Sequence, residues 1–158
     1  MNKKFFLLFC LFLVLLFTAC SESVDPRDAF VGVYDFETTG SVDIYVSAVK
    51  LTTIPLNLNG TLTISKENTK DQVAIIWRND TVHGTVAGEK MYVDNIHIDT
   101  TYHSLEAQLD IFPDPVQKDS TQLKCKSTVR ARLQYSSYAG SGEGEVTIVA
   151  TKQTEPTL

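Results

Sequence analysis

The amino-acid sequence predicts an all-β domain behind an apolar N-terminal leader: an antiparallel up-and-down barrel of about eight strands, with a β-sandwich as the alternative. Three observations predict it. Apolar residues recur with a period of two almost everywhere after Phe30, which marks strands with one face in a core and one in water. Turn residues interrupt that pattern at short intervals. Sequential hairpins also close a meander without long crossovers, which favours the barrel.

The elements follow in order. Asp25 can cap a short helical turn over 25–29 with Pro26 in its first position, and this is the only helical signal after the leader. Strand runs follow near 31–38, 42–50, 56–66, 72–78, 81–87, 90–98, 104–111, 122–135 and 143–151. The clearest is Leu123, Cys125, Ser127, Val129, Ala131 and Leu133 alternating with Lys124, Lys126, Thr128, Arg130, Arg132 and Gln134. Asn59-Gly60 suits a tight hairpin that splits the third run, because both residues tolerate positive φ. Asn79-Asp80 signals a second hairpin, and Gly88, Pro113-Asp114-Pro115 and Gly140-Ser141-Gly142 signal further reversals.

Lys3 and Lys4 precede an unbroken apolar run from Phe5 to Phe17, followed by the small residues Thr18 and Ala19. That is the n-region, h-region and cleavage region of a signal peptide. A run of about 13 residues is too short to cross a hydrocarbon core, which needs about 20. Phe17-Thr18-Ala19-Cys20 resembles the lipobox of bacterial lipoproteins, which implies cleavage ahead of Cys20 and lipidation of its thiol. Two or three acyl chains on one N-terminus make a stable membrane anchor. Ser21-Glu22-Ser23-Val24-Asp25 resembles the acidic, serine-containing stretch that sends some Gram-negative lipoproteins to the outer face of the outer membrane. The expected organisation is a signal peptide over 1–19, a lipidated tether and turn over 20–29, one β domain over 30–152 and a tail over 153–158.

Removing 1–19 leaves one ordinary domain's length of chain. The formal charge of -5 falls by the two leader lysines, -5 minus 2, to -7. A mildly acidic domain without basic clusters is not a nucleic-acid binder. Cys10 leaves with the leader and Cys20 takes lipid, so Cys125 has no partner within the chain and is expected to be a buried apolar thiol.

Phe30-Val31-Gly32-Val33-Tyr34 resembles the start of lipocalin and other calycin barrels, with Tyr34 where that family carries tryptophan. The strand from Gly144 to Lys152 resembles the last strand of small lipocalin-like lipoproteins, where a basic residue covers the base of the barrel; Lys152 stands at that place. The resemblance implies a closed end, an open mouth and an interior for a small apolar ligand.

No catalytic constellation is legible. Gly140-Ser141-Gly142 lacks the spacing of a nucleophile elbow, and Glu143 and Glu145 share one strand face rather than flanking a cleft. His83, His97 and His103 with Asp94 and Asp99 do not complete a metal-ligand set, so neither metal nor cofactor is expected. For binding, Trp77 shares strand parity with Val73 and Ile75 and is expected to point inward, while Tyr135 and Tyr138 flank a small-residue loop that can rim a mouth. The sequence therefore points to a non-enzymatic, membrane-anchored envelope module for a small apolar or amphipathic ligand. The alternative is an accessory module that contacts an envelope protein or glycan.

Overall fold

The computed structural model describes residues 24–102 and 105–154; the expected leader and lipobox, with Cys20, as well as His103 and the last four residues, lie outside the described residues. The short helix predicted after Asp25 is a 3-10 helix, Pro26–Ala29, and the Asp25 carboxylate accepts the Arg27 backbone N–H at 3.0 Å. Eleven strands follow: β1 (Gly32–Val46), β2 (Val49–Pro55), β3 (Asn59–Lys66), β4 (Gln72–Trp77), β5 (Asp80–Ala87), β6 (Lys90–Val93), β7 (Ile96–Tyr102), β8 (Leu105–Pro113), β9 (Val116–Asp119), β10 (Gln122–Tyr135) and β11 (Tyr138–Lys152).

Every pairing is antiparallel, and β1, β3, β4, β5, β6, β9, β10 and β11 close on themselves as an eight-stranded barrel. The remaining strands are continuations. β2 and β3 pair with β1 in one common register from Gly32 to Ile44, so they are a single strand interrupted at Leu56–Leu58, with one register shift beyond Ile44. There the Thr38 hydroxyl takes over the ladder, donating to the Leu56 carbonyl at 2.7 Å and accepting the Leu58 N–H at 2.8 Å. In the same way β6 runs on into β7, and β8 into β9. The chain is thus the predicted up-and-down barrel of eight strands.

Three expected reversals fall elsewhere. Asn59-Gly60 opens β3 instead of turning; the hairpin lies at Ser47 and Ala48, both at left-handed φ (50° and 64°), the conformation a tight two-residue turn demands. Pro113-Asp114-Pro115 interrupts one strand without reversing it, because β8 and β9 run in the same direction along β10. Gly140-Ser141-Gly142 lies within β11, and the chain turns at Ser136-Ser137. These glycines serve packing: a Cβ on Gly142 would lie 2.7 Å from Ile44 Cδ1 and 2.8 Å from Val42 Cγ1, so its missing side chain makes room for those of β1. The hairpin near Asn79 and the turn at Gly88 are where the sequence puts them, with Arg78 and Gly88 at positive φ.

The strands differ in length, and this shapes the molecule. β1, β10 and β11 have 15, 14 and 15 residues, against six in β4 and eight in β5. Only the half nearest the 3-10 helix is closed all round. Above it, β2, β1, β11, β10, β8 and β7 continue as a curved six-stranded sheet whose edges, β2 and β7, do not pair with each other or with any further strand among the described residues. Two apolar clusters match the two halves. The closed half holds Phe30, Tyr34, Phe36, Ile64, Val73, Val86, Met91, Val116, Leu123, Cys125 and Ala150. The upper sheet holds Val42, Ile44, Val129, Ala131 and Val146.

The base is sealed. Phe30 is fully buried beneath the helix, and its carbonyl accepts the Tyr34 hydroxyl at 2.8 Å. Arg27 grips the Asp25 carboxylate and donates to the carbonyls of Glu67, Thr69 and Gln72 at 3.0, 3.1 and 3.3 Å, tying the helix to the β3–β4 turn. These contacts and Lys66 hold the Asp25 carboxyl far below the usual carboxylate range, with the Arg27 side-chain hydrogen bond the largest cause. Lys152 donates to the Val31 carbonyl at 2.7 Å and lies over the Tyr34 ring, covering the base from the C-terminal side.

Cys125 is buried, as its strand parity predicts, and burial pushes its thiol pKa up. Its sulfur lies 3.2 Å from the carbonyls of Asp114 and Lys126 and 3.7 Å from Ser127 Oγ. Sequence parity alone would put a serine there against an apolar face, at a cost of about 1–3 kcal/mol for an unsatisfied hydroxyl. With two carbonyl acceptors in reach, the expected cost of Cys125→Ser is below about 1 kcal/mol. The native thiol should also resist a maleimide until the domain unfolds, as mass spectrometry of timed labelling will show.

Candidate functional site

The open side of the upper half is where the fold leaves apolar surface uncovered among the described residues. In the closed half, β4 and β5 fill the wall between β3 and β6; when those two short strands end, a gap of three strand spacings, ~14 Å, remains between β2 and β7. Strand parity turns Val49, Ile54 and Leu58 toward the inside of the sheet, and Leu51 sits at the register shift opposite Ile44 and Tyr45. All four are between 45 % and 69 % exposed. Across the gap, Ile98 on β7 has inward parity and is 40 % exposed. Isolated exposed apolar residues are ordinary, but a row of them on one unpaired edge is not.

Trp77, at the end of β4, forms the sill of this opening. It packs on the core of the closed half, edge-on to Phe36 with ring centroids 5.5 Å apart, and the Arg78 guanidinium covers it at 4.9 Å. Its indole Nε1 would meet a Cβ on Gly60 at 3.2 Å, so Gly60 leaves room for the ring beneath the β2–β3 junction. The inward orientation expected from Val73 and Ile75 is present, with the ring half-buried rather than enclosed. The barrel section below Trp77 is filled by Phe30, Tyr34 and Met91, all essentially inaccessible to solvent.

The aromatic residues expected at the mouth are not brought together with Trp77. Tyr138 is 68 % exposed at the tip of the β10–β11 hairpin, and the side chain of its rung partner Tyr135 lies outside the described residues. Phe36, the contact of Trp77, pairs with Ala150. Tyr138 is 150 minus 138, or 12, residues up the same strand, ~40 Å along β11. Trp77 and Tyr138 are therefore far apart and do not share one mouth. The exposed apolar row on β2 was missed by sequence reasoning, because the expected hairpin at Asn59-Gly60 hid an edge strand; Val49, Leu51 and Ile54 carry a usable signal once the turn is placed at Ser47-Ala48.

The outward face of the upper sheet is polar and paired across strands. His97 Nδ1 meets Asp110 at 2.6 Å, its Nε2 lies 3.2 Å from Asp99, and Arg130 reaches Glu143 at 3.4 Å. The Asp110 hydrogen bond, followed by the charge of Asp99, raises the His97 pKa above its ordinary value. His83 pairs with Glu67 at 2.6 Å. These histidines sit on separate strands in separate ion pairs, and among the described residues no three His, Cys, Asp or Glu side chains converge as metal ligands. No protein-family model matches this chain, and neither does any curated protein sequence.

Proposed function

We propose that this chain is a lipid-anchored, non-catalytic binding module of the cell envelope, a lipocalin-like barrel that takes a small apolar or amphipathic molecule at the open side of its upper half. The observation that carries the reading is the exposed apolar row on β2 facing Ile98 across the gap in the barrel wall, with Trp77 at its sill. Because the lower barrel is filled, the guest is expected higher and more laterally than in a deep cup. An anchor at Cys20, five residues ahead of Asp25 (25 minus 20), reaches at most ~18 Å from the clamped helix, which keeps the sealed base toward the membrane and the open side away from it.

One observation favours a second reading. β2 is exposed along all seven residues and, among the described residues, pairs on one side only, which leaves the template to which a partner protein can add a strand.

Trp77 is the only tryptophan, so its emission reports the sill directly. Titrating the purified protein with palmitate or an anilinonaphthalene sulfonate dye is expected to shift that emission saturably. Ile54→Glu and Leu58→Glu, at positions already half in water, are expected to weaken binding about tenfold or more, equivalent to about 1.4 kcal/mol, with the fold intact. Unchanged emission, together with no bound species in native mass spectrometry, would refute the small-ligand reading and leave the strand-addition reading to be tested by cross-linking from β2.

A further inference from the structure

On the outward face, at the far end of the upper sheet, lies a groove of about 770 Å³ that belongs neither to the open side nor to the core. Its lining follows the strand register. One wall is the cross-strand row Asp99, Gln108, Arg132 and Ser141, on β7, β8, β10 and β11 in turn. The other is the row Thr101, Glu106, Gln134 and Ala139 on the same four strands. Ala107, Leu133 and Gly140 lie between the rows and form the floor. The two rows run across the four strands, which span ~14 Å, and lie one pleat repeat, ~7 Å, apart.

We infer that this groove is a binding site for a short, neutral oligosaccharide. The wall chemistry selects the class. Two primary amides, two carboxylates, a guanidinium and two hydroxyls offer donors and acceptors in close alternation, which matches vicinal hydroxyl groups that both donate and accept. The charged groups are Asp99 and Glu106 against Arg132, a net charge of -1, which disfavours phosphate, sulfate or nucleic acid. Leu133 and Ala107 have inward parity, so the polar side chains of the two rows flank them on both sides.

Two further features fit a sugar. Arg132 is 72 % exposed and its nearest acidic partner, Asp110, is 3.8 Å away, so its donors remain open to a ligand. Tyr45 pairs with Ser141 and so continues the first row by one strand beyond the lining residues, as a half-buried aromatic neighbour. The volume falls within the range of small-ligand sites, ~300–1,000 Å³. The site shares no residue with the apolar opening, so it stands or falls independently of the proposal above.

The test uses the full-length protein in detergent, with tetramers of α-glucan, β-glucan, mannan and chitin as neutral probes and a sulfated and a phosphorylated sugar as charged ones. Calorimetry or ligand-observed magnetic resonance is expected to find a neutral probe that binds with little dependence on salt. Arg132→Ala and Gln108→Ala, both at exposed surface positions, are expected to weaken it about tenfold each, while Ile54→Glu leaves it unchanged. Absence of binding by every neutral probe at millimolar concentration overturns the inference. So does selective, salt-sensitive binding of the charged sugars, or a bound neutral probe that ignores both substitutions.

Discussion

Phe30→Ala is expected to destabilise the domain by about 3–5 kcal/mol, the range for truncating a fully buried aromatic residue. Phe30 is the plug of the closed half. It is inaccessible to solvent, follows the 3-10 helix directly, and belongs to the same cluster as Tyr34, Val73 and Met91. The space left behind has little means of collapsing, because Arg27 holds the helix to three carbonyls of the β3–β4 turn. Domains of this size are stable by only about 5–15 kcal/mol, so the loss is a large share of the total. Urea unfolding followed by Trp77 emission will measure it. A loss below about 1 kcal/mol would show that the base is not packed around Phe30.

Gly144→Val is expected to cost about 3 kcal/mol or more, at or beyond the upper end for overpacking, because the obstruction is backbone. A Cβ at Gly144 would collide with the Ser41 carbonyl oxygen and lie 2.8 Å from the Val42 Cα, on the strand that Gly144 pairs with directly. Neither atom can rotate out of the way. Gly88→Ala is the matched control: nothing lies within 4 Å of its added Cβ, and only its left-handed φ of +62° is penalised, by about 1–2 kcal/mol. Both variants are compared by denaturant midpoint against the parent chain. If Gly144→Val proves no worse than Gly88→Ala, the close approach of β1 and β11 does not constrain the sheet.

Strand identity was legible wherever one face meets water throughout. Leu123 to Leu133 alternate with charged and polar residues, and all six apolar-face positions are buried or half-buried in β10. The helical turn was legible because Asp25 and Pro26 act locally, through a cap and a fixed φ. The turns were less legible, since their chemistry is ambiguous: Asn59-Gly60 is hairpin chemistry placed in a strand, while Ser47-Ala48 turns without glycine or asparagine. The glycines of β11 carry no local signal of their purpose, because what requires them is the proximity of Ile44, Val42 and Ser41 on a strand about a hundred residues earlier.

The candidate sites divide in the same way. Trp77 was legible as an inward residue because parity with Val73 and Ile75 is a property of one strand. Its distance from Tyr138 was not, since that depends on β11 rising far above the end of β4. By itself the sequence determined the all-β class, the up-and-down order of the strands, the alternation of core and solvent faces and the burial of Cys125, because each follows from a two-residue period and from chain connectivity. Only the tertiary structure decided that β4 and β5 stop short, that β2 is left with an open apolar edge, and that two polar rows from four strands frame one groove. Those features arise from relative strand length and cross-strand register, quantities that no single strand encodes and that are set only when the barrel closes.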